Sequence, residues 1–289
     1  MTDKPAADSR DLAQFYIART DWHAPAEEQM RFRRAAALAR VPAGAAVLDI
    51  GARDRGLRRV LPDGVRYQGI EIDPAFARPD VLVHDISQGI PFPPGAYEEI
   101  LRTHDVLIFS DVEAKNFQLH PQFFDRSKLG TRILTFPDRI RLTIEAVTAG
   151  IRVMFLGGWL SFTGEMGKGG WNRTRLNEIL PVRCLDQDDL IESTEGFTAA
   201  LTRSSAATFD GIDLASFPPI LGYNKVLPRE GCDVLLTVKE TGDPLVAVGT
   251  FGKGKALAYM SDPAPHWGCN FVCWRDYSAF WLTCLDAIL

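Results

Sequence analysis

The chain is 289 residues long, 46% hydrophobic and 24% charged, enough to bury a full core as one large domain or two small ones. Its formal net charge of -5 leaves no electrostatic footprint for nucleic acid or an anionic membrane surface. No apolar run approaches the roughly 20 residues of a membrane span, and the polar start Met1-Thr2-Asp3-Lys4-Pro5 lacks the apolar core of a signal peptide.

Residues 1–10 read as a polar tail, and residues 26–40 favour helix by propensity until Pro42 and Gly44 end it. Ala46 to Ile50 reads as a buried parallel strand, followed by Gly51 and a short helical piece to Leu61. Tyr67 to Ile72 is a second strand and Val81 to His84 a third. Pro91, Pro93, Pro94 and Gly95 mark a break. A short helix over Tyr97 to Leu101 and a strand over Asp105 to Ser110 follow. Pro137-Asp138-Arg139 opens a helix that Gly150 closes, and Arg152 to Leu156 is the next strand. Val246 to Phe251, Gly252-Lys253-Gly254 and Lys255 to Met260 form a hairpin pattern. The aromatic-rich stretch Phe271 to Leu289 reads as a closing helix.

Strands alternating with helices predict an α/β fold: a doubly wound, mostly parallel sheet of Rossmann-like or flavodoxin-like kind, with a β-hairpin and a closing C-terminal helix. The boundary is placed at 1–95 and 96–289, with one continuous sheet through both parts as an open alternative. Cys184, Cys232, Cys269, Cys273 and Cys284 are odd in number and scattered. That suits a reducing compartment, so the cytoplasm is expected.

The most informative stretch is Arg152-Val153-Met154-Phe155-Leu156-Gly157-Gly158-Trp159-Leu160-Ser161. A buried strand here enters a tight turn at the carboxyl edge of the sheet. In a nucleophile elbow the apex of such a turn carries Cys or Ser. Here the apex is Trp159, whose only polar group is an N–H donor. The glycine-rich stretch Gly164 to Gly170 then reads as a flexible rim over the cleft, and Trp159, Trp171, Tyr223 and Trp267 as its apolar walls or as core.

Glu113, Asp262 and His266 are the candidate acid–base residues. His266 follows Asp262 in a polar loop, and Glu113 and Asp111 follow a strand directly, where open α/β sheets gather ligand-binding groups. A turn-capping His and helix-capping acids are the structural alternatives. His266, Cys269 and Cys273 have a spacing that suits zinc, but no fourth ligand is evident, so no metal site is expected.

Two resemblances follow from these residues. The run Val47 to Gly56, with Glu71 and Asp85 after the next two strands, resembles class I S-adenosylmethionine-dependent methyltransferases over about residues 26–95. It implies S-adenosylmethionine as cofactor, with Gly51 at the close-approach turn, Glu71 on the ribose and Asp85 near the adenine. The chain departs from that pattern at Arg53 and Arg55, where the family has glycines. From about residue 81 to 289 the chain resembles bacterial cytoplasmic proteins of class I glutamine amidotransferase-like fold. The matching segments are Asp105 to Glu113, Phe155 to Phe162, Leu221 to Asn224 and Ser261 to Trp267. This resemblance implies a flavodoxin-like sheet, a catalytic Cys where Trp159 stands, and a carboxylate two residues after His266, where Gly268 stands.

The leading expectation is an amidotransferase-like protein without its nucleophile, binding a small polar ligand at the sheet edge. The alternatives are a methyltransferase of unusual build and a non-catalytic interaction module. Neither nucleic acid nor membrane is an expected partner.

Overall fold

The computed structural model describes residues 46–50, 63–64, 66–71, 74–83, 96–118, 138–203, 205, 207–263 and 266–289. The chain divides into two compact units, residues 1–91 and 92–289. The expected helix over 26–40 and the helical piece after Gly51 lie outside the described residues.

In the first unit β1 (Ala46–Ile50), β2 (Arg66–Glu71) and β3 (Val81–Val83) form a parallel three-stranded sheet in that order. Leu48 lies opposite Gln68, and Ile70 opposite Leu82.

The second unit opens with α1 (Ala96–Thr103), β4 (Val106–Ser110) and the single turn α2 (Ala114–Phe117). It continues with α3 (Arg139–Ala149) and β5 (Arg152–Leu156). Asp138 caps α3 by accepting a hydrogen bond from the Arg141 N–H at 2.9 Å, and Gly150 ends it in a positive-φ turn. The next strands are β6 (Val182–Cys184), β7 (Leu190–Phe197), β8 (Ala199–Leu201), β9 (Ile220–Asn224) and β10 (Val226–Pro228). After them come β11 (Asp233–Val238), β12 (Pro244–Phe251), β13 (Gly254–Tyr259) and the closing helix α4 (Tyr277–Asp286).

The central sheet runs β4-β5-β13-β12-β11-β8. It is mixed. β4, β5 and β13 are parallel, and β12, β11 and β8 continue antiparallel. The reversal comes from the expected hairpin. Gly252 and Lys253 join β12 to β13, and so short a loop can only connect antiparallel neighbours. Two small antiparallel pairs, β7 with β9 and β10 with β6, stand beside this sheet, and periodicity had not distinguished them.

β5 is buried on both faces, as a central parallel strand should be. Met154 and Leu156 join the main core with Tyr259, Phe271, Phe280 and Trp281 of β13, α4 and the segment between them. Phe155 points into a second aromatic group, within 5.6 Å of Phe109, 5.0 Å of Phe162 and 5.2 Å of Trp171, centroid to centroid. The carboxyl end of β5, anchored from both sides, is thus a fixed platform for the turn that follows. Among the described residues no helix is long and apolar enough to cross a membrane.

Candidate functional site

The site begins where β5 stops. Gly158 has φ 148°, a conformation that disfavours a side chain, and a Cβ there would overlap the Asp111 carboxylate. Its N–H donates to Asn224 Oδ1 at 2.9 Å, and its carbonyl accepts from Asn224 Nδ2 at 3.0 Å. Asn224, the last residue of β9, thus clamps the elbow across the molecule. Its amide also donates to Asp189 Oδ1 at 2.9 Å. Asp189, 1% exposed, accepts from the Thr163 and Gly164 N–H groups at 2.9 and 3.1 Å. Burial pushes its carboxyl up to about 6, against the lowering effect of these hydrogen bonds.

The glycine-rich rim is pinned rather than open. The Glu165 N–H donates to the Trp159 carbonyl at 2.8 Å, the Met166 N–H to Asp188 at 2.8 Å and the Ala114 N–H to the Gly169 carbonyl at 2.8 Å. Among the described residues three non-glycines have positive φ: Asp111, Phe162 and Met166. All three lie on this elbow or in the loops that hold it, and strain of this kind gathers at functional sites.

Trp159 stands at the apex, 43% exposed, with its ring edge-on to the His266 imidazole at 4.6 Å between centroids. Its indole N–H donates to Glu192 Oε1 at 3.2 Å, and the Trp267 indole N–H donates to the same oxygen at 2.7 Å. Glu192 lies opposite Gly222 in the β7–β9 register, and the Trp267 ring fills the space over Gly222. One carboxylate on β7 therefore fixes both indoles around His266.

His266 Nδ1 lies 3.4 Å from Asp262 Oδ2, and the Asp262 side chain is buried. The hydrogen bond that the ring donates to Asp262 raises the imidazole pKa above its usual value despite partial desolvation, and the charges of Asp262, Glu192 and Asp111 act in the same direction. Asp111 directs Oδ1 to the Leu160 N–H at 2.6 Å. The residue reaches the surface, yet the protein crowded around its carboxylate raises its pKa, helped by the charges of Asp262 and Glu113.

The structure therefore brings the expected residues Asp262 and His266 into contact, with Asp111 close to both. Glu113 precedes α2 without a side-chain capping bond and turns to Lys115, at 2.8 Å. The carboxylate beside His266 comes from four residues earlier in the chain, not two residues later. Of the expected walls, only Trp159 is open to solvent. Trp171, Tyr223 and Trp267 are buried, because each indole or phenol found a polar partner inside: the Val112 carbonyl, Asp243 and Glu192 respectively. Glu71 ends β2, its side chain outside the description, and Gly51 and Asp85 lie outside the described residues. Sequence reasoning missed Asp189, Glu192 and Asn224. Asn224 closes one of the family-like segments and was findable. Glu192 sits in an exposed, polar strand with no local signal.

A mixed α/β sheet whose β5 strand ends in a glycine-paired elbow facing a His–Asp pair belongs to the amidotransferase-like class of α/β proteins. Over residues 76–289 the chain matches the family described as "Putative glutamine amidotransferase", and it belongs to that family. Among solved structures it is similar to the cytoplasmic protein STM1381 from Salmonella typhimurium LT2, at 33% identity and TM-score 0.61, covering 72% of this chain and 81% of that one. It is likewise similar to the cytoplasmic protein STM3548 from Salmonella typhimurium, at 32% identity and TM-score 0.60, covering 70% of this chain and 78% of that one. No curated protein matches the chain.

Proposed function

We propose that this chain is an amidotransferase-like protein that has lost glutamine hydrolysis and binds a small polar ligand over the carboxyl edge of its sheet. One observation carries the reading: the His266 imidazole, paired with Asp262, faces the indole of Trp159 at the elbow apex. Class I chemistry needs a thiolate there, activated by that imidazole. The indole nitrogen's lone pair is delocalised into the ring, so the group is a hydrogen-bond donor and no nucleophile for an amide carbon. The thiols of half-buried Cys184 and buried Cys284 are pushed to higher pKa by desolvation, the reverse of activation.

What survives is an imidazole with a raised pKa, a carboxylate that orients it, and an exposed aromatic surface beside it. These can bind a polar ligand and move a proton on it, with Asp262 and Glu113 as further acid–base groups. The layering, with apolar cores on both faces of β5, supports a doubly wound, flavodoxin-like arrangement of the second unit. Both Salmonella relatives are named cytoplasmic proteins, and the cytoplasm is the compartment we propose here. The alternative, S-adenosylmethionine binding in the first unit, is supported by the sequence pattern of Val47 to Gly56, Glu71 and Asp85 alone.

The reading is tested by incubating the purified full chain with glutamine and measuring ammonia. The expected result is none above the rate without protein. Turnover that disappears in a single Cys→Ala variant would overturn the loss of chemistry. Ligand binding is tested by a metabolite screen for melting shifts that His266→Ala abolishes, and a screen without such a hit would favour the interaction module.

A further inference from the structure

We propose that Asp111 is a built-in plug of the elbow's oxyanion position: its carboxylate occupies the backbone donor that an incoming carbonyl or carboxylate would need. The proposal rests on reading Gly157 to Leu160 as an elbow. In such elbows the N–H of the residue after the apex is one of the donors that receive the developing oxyanion. Here that residue is Leu160, and its N–H already donates to Asp111 Oδ1 at 2.6 Å, short enough for a charge-assisted bond.

Three observations show that the carboxylate is placed there against opposing forces. Asp111 adopts φ 43°, in the left-handed region that disfavours a side chain. Gly158 leaves the space the carboxylate fills, so that any side chain at 158 would expel it. The carboxylate also sits among like charges, Asp262 and Glu113, with His266 as the compensating cation. Asp111 directs its carboxylate to the elbow, while the N-cap position of α2 belongs to Glu113. The elbow is thus closed twice, by an apex without a nucleophile and by a donor already occupied. A ligand at this edge either brings its own hydrogen-bond donors to Asp111 and His266 or displaces Asp111 from Leu160.

The test uses the full chain labelled with carbonyl-13C tryptophan and 15N-leucine. Only two Trp-Leu steps occur in the sequence, Trp159-Leu160 and Trp281-Leu282, so two amide signals are selected and Leu282 serves as the internal control. The wild type is expected to show a downfield Leu160 proton that does not respond to sodium acetate beyond a matched chloride control. Asp111→Gly suits the backbone at this position. It should move the Leu160 signal upfield and make it respond saturably to acetate, with Leu282 unchanged. A folded Asp111→Gly protein whose Leu160 signal ignores acetate, or a wild type that responds equally, overturns the plug.

Should the glycine variant fail to fold, the wild-type Leu160 signal is followed with pH and compared with Asp111→Asn, which keeps an acceptor oxygen but has no proton to lose. A titration in the wild type that is missing in the asparagine variant supports the plug, and identical profiles overturn it. Ammonia release by the wild type would sink the proposed function and leave this measurement standing, so the two failures are distinguishable.

Discussion

Two aromatic clusters of the second unit use the same side chains in opposite ways. Under α4, Phe271, Phe280 and Trp281 pack on Tyr259 at centroid distances of 5.2 to 5.8 Å, and Phe280 is fully buried. Shape and apolar area do the holding there. At the sheet edge, Trp159 and Trp267 are both tied by their N–H groups to Glu192, and Trp159 remains 43% exposed beside a titrating imidazole. The core cluster spends its rings on stability. The edge cluster uses hydrogen bonds to fix where rings and charges stand, which is what a site requires.

The comparison breaks most visibly if the core is not what holds the unit together. Phe280→Ala should destabilise the unit by about 3–5 kcal/mol in chemical denaturation. A loss below about 1 kcal/mol would show that the cluster is loosely packed.

Asp189 tests the frame under the edge. Asp189→Ala leaves the N–H groups of Thr163 and Gly164 and the Asn224 amide without their acceptor, and should cost roughly 2–3 kcal/mol. Its pH dependence has a definite sign. The folded pKa of about 6 lies above the ordinary value of 3.8, so the folded state favours the protonated acid. The Asp189 contribution is fully present below about pH 4 and is lost as pH rises through 6. Denaturation midpoints of the wild type should therefore fall relative to Asp189→Asn across that window. A difference that stays flat with pH would place the carboxyl at an ordinary pKa.

A smaller effect concerns His266. Its pKa is raised chiefly by Asp262, so Asp262→Asn should lower the imidazole titration followed by NMR. Its stabilising contribution, present below the ordinary histidine pKa of about 6.5 and lost as pH rises through the folded value, should shrink with it. An unchanged titration would mean that the 3.4 Å contact does not form in solution. A further variant sharpens the contrast: Trp159→Ala should cost about 1–2 kcal/mol, well below the Phe280→Ala loss, since 43% of the residue is exposed. A large loss would make Trp159 a core residue after all.

Much of the scaffold was legible in the chain. β5 is legible because the apolar run Val153 to Leu156 ending in two glycines is the mark of a buried parallel strand, and the β12–β13 hairpin because its two runs flank a Gly-Lys-Gly turn. α3 was read from Asp138 and Gly150, which act at its two ends. The site was half legible. Asp262 and His266 stand four residues apart, so their contact is a local event that spacing can suggest. Glu192 and Asn224 reach the elbow from strands 33 and 66 residues away. Nothing near them in sequence distinguishes them from other polar strand residues.

The amino-acid order alone settled the β5 strand, the β12–β13 hairpin and the two ends of α3, and that an indole stands at the elbow apex, because periodicity, caps and residue identity are local properties. The tertiary structure alone decided that Trp267 and Tyr223 turn inward and that Asp111 points at the Leu160 N–H. Each of these depends on which distant polar group is near enough to satisfy a buried donor or acceptor, and that is a matter of packing in three dimensions rather than of neighbours along the chain.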